Sequence, residues 1–239
     1  MTLQENQKNN DGLNNLVSKF IDASPRKRKN LVKEIESSAE GLYHIAEDLL
    51  NKFDRNGDDW ACGWILQVLK KYKPDFFKDN KYNYWFSTPS NQGINYEEMQ
   101  LKLLEQDFEE ADRLTSSYLR QLAGKVAEKR GYVFYSEVKS ISGTDLTSID
   151  RLWKIYSQGK FGFSAQAKLL KTVGKRYELL WPKIGWKKNG IWTRYPSSFD
   201  WSLGAPDGHM PLVNQLRGVR LMDSLLRHPS IAERHDNCL

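Results

Sequence analysis

Apolar residues return every third or fourth position along most of this chain, and that period constrains the fold more than any other feature. Leu13, Leu16, Val17, Phe20 and Ile21 share one helical face, and Leu31, Val32 and Ile35 share the next. Leu42, Ile45, Ala46, Leu49 and Leu50 form a third, and Ala61, Trp64, Ile65, Val68, Leu69 and Tyr72 a fourth. Ser24-Pro25 is a helix start, because proline is tolerated in the first turn, where its missing N–H has no partner to lose. Residues 74–94 break the period with Pro, Asn, Gly and Ser and read as a linker, placing a boundary near 88–92. Two capping boxes follow. Asn95 with Glu98 opens one helix, and Asp107 with Glu110 opens another that Gly124 closes. Further helices are predicted over 145–156, over 164–173 up to Gly174, and from near Pro211 to about Leu226, stopped by Pro229. Residues 132–135 alone have local strand character and, lacking a partner, read as loop. The expected architecture is all-α: an N-terminal helical bundle over 1–90 and a helical core over 91–239.

Several function classes fall away. No apolar run reaches the ~18–20 residues of a membrane span. The first twelve residues carry acids and no apolar centre, so neither a secretory signal nor a transit peptide is expected. Cys62 and Cys238 are too far apart in sequence for a clip, which points to a reducing compartment and away from a disulfide scaffold or zinc finger. His44, His209, His228 and His235 have no neighbours at metal-ligand spacing, and no phosphate-loop, zincin, nucleophile-elbow or dinucleotide motif is present. No catalytic residue and no metal site are therefore assigned, and an enzyme is not expected. Residues 54–58 imitate the start of a calcium loop, but its sixth and twelfth places are Asp59 and Ile65 where Gly and Glu are needed, so they read as a polar turn. The run 25–29 (PRKRK) reads as a solvated helix start.

Net charge is +6, distributed as +1 over 1–90, −4 over 91–150 and +9 over 151–239. The positive third also holds GWKKNGIWTRYPSSFDW (185–201), with three tryptophans, a tyrosine, a phenylalanine and three basic residues. Pro182, Gly185, Gly190 and Pro196 prevent a long helix there. Trp153, Trp181 and Trp186 are expected in the core; rings on irregular backbone beside a basic helix suggest a lined cavity. That helix places Asn214, Arg217 and Arg220 every third residue, ~4.5 Å apart along the axis. Gly218 lies among them at a cost of ~1 kcal/mol relative to Ala, which suggests close approach by another element or a ligand. On spacing alone the row reads equally as a solvent-facing basic edge, or as arginines paired with acids of 91–150. Two ligand classes fit: single-stranded nucleic acid, with stacked bases and paired phosphates, or a large flat anion whose carboxylates meet arginine. Composition does not separate them.

Longer motifs do. DFEEADRLT (107–115), DLTSIDRLWKIYSQGKFGFSAQ (145–166), LWPKIGWKKNGIWTRYPSSFDWSLGAPDGHMPL (180–212) and NQLRGVRL (214–221) resemble the Genomes Uncoupled tetrapyrrole-binding regulators of magnesium chelatase, found in oxygenic phototrophs. They cover most of 95–228; Ser140–Thr144 and Ala165 depart from the family pattern, which often has a Phe-Pro pair and a Val there. The resemblance implies an all-helical core shaped like a cupped hand that binds protoporphyrin IX and magnesium-protoporphyrin IX. It implies a regulator that stimulates the chelatase through the large H subunit, associates peripherally with thylakoid or envelope membranes, and resides in a cyanobacterial cytoplasm or plastid stroma. It assigns ligand binding to Arg217 and Arg220 and ring contacts to Tyr135, Tyr195 and Phe199, with Trp192 nearby. From its place in the row, Asn214 is expected to reach a magnesium-bound water or a ring substituent. Trp186 and Trp201 are expected to pin the loop, and segments 181–208 and 125–135 to close the cup. A monomer without nucleic acid is expected; the alternatives are a nucleic-acid module or a chelatase scaffold without pigment.

Overall fold

The computed structural model describes residues 3–78, 82–212 and 219–236, and it is all-α apart from one two-residue-per-strand hairpin. Four helices build the N-terminal part: α1 (Leu3–Asp22), α2 (Pro25–Ser37), α3 (Ala39–Leu50) and α4 (Trp60–Tyr72). Val17 and Phe20, Ile35, and Leu42, Ala46, Leu49 and Leu50 turn inward from the first three. In α4, every residue from Trp60 to Leu69 is buried. A helix apolar on all sides belongs in the middle, and α4 packs on α3 on one side and on a later helix, α8 (Gly143–Tyr156), on the other. Gly63 makes that second contact: a Cβ there would lie 2.6 Å from the Ile155 carbonyl oxygen.

Arg26, Lys27 and Lys29 are exposed, as the solvated reading of 25–29 expects, and Arg28 alone departs from it. Arg28 is buried; its guanidinium donates to the Phe20 and Ile21 carbonyls at the end of α1 and pairs with Asp59, whose carboxylate also accepts the Ala61 N–H at 2.9 Å and so caps α4. One arginine thus satisfies carbonyls that α1 leaves without intrahelical partners. The 54–58 turn is polar, as expected, and it is a receptor. The Arg55, Gly57 and Ser87 carbonyls accept from Arg151 of α8, and Asp58 pairs with Lys154 and Arg234.

The remaining helices are α5 (Glu97–Leu104), α6 (Phe108–Leu122), α7 (Lys125–Arg130), α9 (Phe163–Thr172), α10 (Tyr177–Lys183), α11 (Val219–Leu226) and α12 (Pro229–Asp236), with a 3₁₀ helix over Tyr135–Ser140. Asp107 caps α6 by accepting the Glu110 N–H at 3.3 Å. The Asn95 cap is displaced: its side chain accepts from Glu97, so α5 starts at Glu97 and the expected return bond from Glu98 is replaced by an Asn95–Glu97 pair. α8 is the spine of this part. Leu146, Ile149, Leu152, Trp153, Ile155 and Tyr156 are all buried, while Asp150 accepts the Ser164 N–H and the Arg234 Nε–H and so ties α9 and α12 to it.

The last long helix does not begin at Pro211. Residues 211 and 212 are non-helical, because their backbone is committed elsewhere: Met210 O accepts from Gly162, Pro211 O accepts from Gln166, and the Leu212 N–H is held by Asp112. Residues 213–218, and with them Asn214, Arg217 and Gly218, lie outside the described residues.

Candidate functional site

α6 is strongly two-sided. Phe108, Ala111, Thr115, Tyr118, Leu119 and Leu122 are buried. Arg113, Ser117 and Arg120 face a cleft of about 1190 Å³, somewhat above the ~300–1,000 Å³ of ordinary ligand sites. Arg113 and Arg120 are seven residues apart, hence on the same face and ~10 Å apart along the axis. The opposite wall is the segment 192–197, which contributes Trp192, Arg194 and Tyr195. Tyr132, Val133 and Ile141 close one end, and Leu212 with Leu221 and Leu225 of α11 close another. The cleft therefore offers indole and phenol rings, an apolar end and three guanidiniums. Glu110 pairs with Arg113 at 2.8 Å.

The ring-bearing wall folds for local reasons. Asn189 and Gly190 both have positive φ (51° and 81°), and they turn β1 (Lys187–Lys188) into β2 (Ile191–Trp192). Positive φ at both central residues is what a two-residue hairpin turn requires, and Asn-Gly supplies it. The hairpin corrects the reading of this segment as wholly irregular. Trp192 packs against Trp181 at 4.7 Å, and the Thr193 hydroxyl donates to the Gly185 carbonyl at 2.9 Å. Trp186 is buried and its Nε1–H donates to the His209 carbonyl at 2.8 Å; Trp201 donates to the Pro196 carbonyl at 3.1 Å. Of these two rings, both expected to pin the loop to the core, Trp186 is buried there, whereas the Trp201 bond stays within the loop and its ring is only partly buried against the core. Trp153 is also buried, whereas Trp181 is only partly covered.

Beneath the wall, Phe199 lies 4.6 Å from the His209 ring and 5.5 Å, edge-on, from Tyr195. His209 has both ring nitrogens engaged, Nδ1 at 2.7 Å from the Ile184 carbonyl and Nε2 accepting the Asp200 N–H at 3.3 Å. That pattern assigns the proton to Nδ1, and burial pulls the imidazole below its usual pKa, so the ring is neutral. The base of the loop is tied by Lys160, whose ammonium donates to the Leu203 and Ala205 carbonyls at 2.6 and 2.7 Å.

Tyr195 reaches across the cleft floor. Its hydroxyl donates to Asp112 Oδ2 at 3.1 Å, and Asp112 Oδ1 accepts the Leu212 N–H at 2.6 Å. Asp112 is 1% exposed. Burial pushes its carboxyl up to about 7, the two hydrogen bonds pull the other way, and Glu109 adds to the rise.

Of the residues chosen from sequence, Trp192 and Tyr195 (each 38% exposed) line the cleft together. Phe199 stands behind Tyr195, buried. Tyr135 opens the 3₁₀ helix against which α11 packs, 47% exposed, with the Arg220 guanidinium 5.5 Å from its ring. Sequence reasoning missed Arg113, Arg120, Arg194, Tyr132 and Asp112. The i, i+7 spacing on an amphipathic helix could have revealed the first two, and Arg194 is one of the three basic residues of the aromatic stretch 185–201; no local signal marks Tyr132 or Asp112. Among the described residues no group of three or more His, Cys, Asp or Glu could hold a metal ion, and no helix is long and apolar enough to cross a membrane.

Comparison with known proteins places the chain among relatives of one family. A family model described as GUN4-like matches residues 89–229. A Ycf53-like protein of Synechocystis sp. is 40% identical over 224 residues, spanning 92% of this chain and 96% of that one. The chloroplastic tetrapyrrole-binding protein of Arabidopsis thaliana is 42% identical over 144 residues, 56% of this chain and 54% of that one. Among solved structures, GUN4 from Chlamydomonas reinhardtii superposes with a TM-score of 0.59 at 35% identity, over 63% of this chain and 96% of that one. Ligand-free A. thaliana GUN4 gives 0.54 at 40% identity, over 58% and 99%.

Proposed function

This chain belongs to the GUN4-like family, and on that premise we propose that it binds protoporphyrin IX and its magnesium complex in the cleft between α6 and the 192–197 wall. The observation that carries the reading is the pairing in one cleft of exposed ring faces (Trp192, Tyr195) with guanidiniums (Arg113, Arg120, Arg194). A porphyrin has two apolar faces and an edge bearing two propionates. Burying roughly 300 Å² of ring at ~25 cal/mol per Å² contributes about 7–8 kcal/mol. Ordering and association costs consume several kcal/mol of it, so a micromolar Kd is expected. The neutral, doubly bonded His209 supports the rings from behind and supplies no axial ligand. Among the described residues no His or Cys lines the cleft, which suits a carrier that must release its pigment.

The carboxylates are assigned to arginines by charge-assisted, bidentate geometry. Arg217 and Arg220 are the pair that the family resemblance implies. Arg220 stands beside Tyr135, one residue from the Leu221 that lines the cleft. The chain performs no chemistry of its own in this reading. It delivers porphyrin to the H subunit and so stimulates magnesium insertion, with peripheral association at plastid or thylakoid membranes. Titration with protoporphyrin IX, followed by the Soret band and tryptophan quenching, should saturate in the micromolar range. Replacing Arg217 and Arg220 together by Ala should weaken binding at least tenfold. No spectral response, or salt-sensitive retention of single-stranded nucleic acid in its place, would overturn the reading. Capture of the H subunit by the double variant separates a carrier from a scaffold.

A further inference from the structure

Three separated stretches of chain end on one carboxyl group. Asp112 belongs to α6, Tyr195 to the ring-bearing wall, and Leu212 to the segment that leads toward α11. Tyr195 and Leu212 both line the cleft, and Asp112 lies behind it. Each partner is also held on its own side. Tyr195 packs edge-on against Phe199 and Trp201 at 5.5 and 5.8 Å, and the residues before Leu212 are bound to α9 and its N-terminal approach through Gln166 and Gly162. The carboxyl is thus where α6 is bonded to both other walls. No cation pairs with it among the described residues, and a buried carboxyl without one is costly. An apolar side chain would fill the space without that cost, but it would supply no directed bond to either wall.

We propose that Asp112 is a positioning residue of the cleft: it holds the Tyr195 wall and the Leu212 segment at a fixed distance from α6, and so sets pigment affinity without touching pigment. The proposal rests on the reading of the cleft as the porphyrin site. The wall that Tyr195 anchors carries Trp192 and Arg194. When the wall is fixed beforehand, its ordering is not charged to binding. When it is released, affinity falls by the fraction of time the wall spends away from its place.

The test uses the full chain with Tyr195→Phe, Asp112→Ala, the double variant and Asp112→Asn. Tyr195→Phe keeps the ring, removes one hydroxyl and sits at a half-exposed position, so it folds. Protoporphyrin IX affinity should fall roughly 5- to 10-fold in Tyr195→Phe and in Asp112→Ala, the scale of one lost hydrogen bond, and the double variant should be no weaker than the weaker single. Asp112→Asn, whose amide can accept from Leu212 and donate to the Tyr195 oxygen, should restore most of the affinity. Without pigment, amides 191–198 should exchange faster in Tyr195→Phe while α8 and the thermal midpoint stay unchanged. Unchanged affinity in Tyr195→Phe, unchanged exchange over 191–198, or losses that multiply in the double variant would overturn the proposal; the last would mean that the hydroxyl meets the pigment directly. If the wild type shows no porphyrin response, the function fails separately, and the exchange result alone decides whether Asp112 holds the wall.

Discussion

Asp112→Asn should gain stability relative to the wild type as pH rises, although it replaces a carboxyl that accepts two hydrogen bonds. Burial dominates this carboxyl and pushes it up to about 7, against ~3.9 in an unfolded chain. Between those values the native state holds a proton that the unfolded chain has released. The group's contribution is therefore full below pH ~4 and is lost as pH rises through 7. Each unit is worth ~1.36 kcal/mol, and the native group is half ionised at pH 7, so about 2.3 kcal/mol is lost from pH 5 to 7 in the wild type. The amide of the variant does not titrate and keeps the side-chain shape, so it loses none of this. For a chain of this size 1 kcal/mol moves Tm by ~2–4 °C. The midpoint of the variant minus that of the wild type should then grow by about 5–10 °C between pH 5 and pH 8 in circular-dichroism melts. A difference that is flat with pH, or one that moves in favour of the wild type, would refute the assignment of Asp112 as a carboxyl penalised by burial.

Gly63→Ala should push α4 from α8, because its Cβ would fall 2.6 Å from the Ile155 carbonyl oxygen; a loss of ~2–3 kcal/mol is expected, and an unchanged melt contradicts the packing. Arg28→Ala should cost ~2–4 kcal/mol in urea denaturation by leaving the Phe20 and Ile21 carbonyls and Asp59 without their donor; a change below ~0.5 kcal/mol, the scale of ordinary surface substitutions, would restore the solvated reading. Arg120→Ala with Arg194→Ala should lower protoporphyrin IX affinity ~10-fold and flatten its salt dependence while leaving Tm unchanged; equal affinity at low salt would exclude both from the site.

What the sequence reveals and what it hides divide along the range of the interactions. α4, α6 and α8 are legible because an apolar face at 3.6-residue spacing and a first-turn cap act within one or two turns. Arg28 is illegible because its partners are the carbonyls at the end of the preceding helix, which no charge pattern announces. Pro211 has the local look of a helix start, yet the long-range bonds of residues 210–212 to Gly162, Gln166 and Asp112 keep it out of a helix. The Asn189-Gly190 turn is present in the sequence, but Lys187-Lys188 and Ile191-Trp192 do not alternate, so the strand period is silent. Trp192 and Tyr195 are legible as rings on interrupted backbone. Asp112 reads as one more acid in an acidic helix; its role exists only where residues 83 and 100 positions away converge on it.

Hydrogen exchange of the whole protein with and without saturating protoporphyrin IX locates the pigment. With the pigment in the cleft, exchange should slow over 192–197 and along α11, which lines it through Leu221 and Leu225, with no change in α1–α4. Protection confined to the N-terminal helices, or none over 192–197 at saturation, would contradict that location.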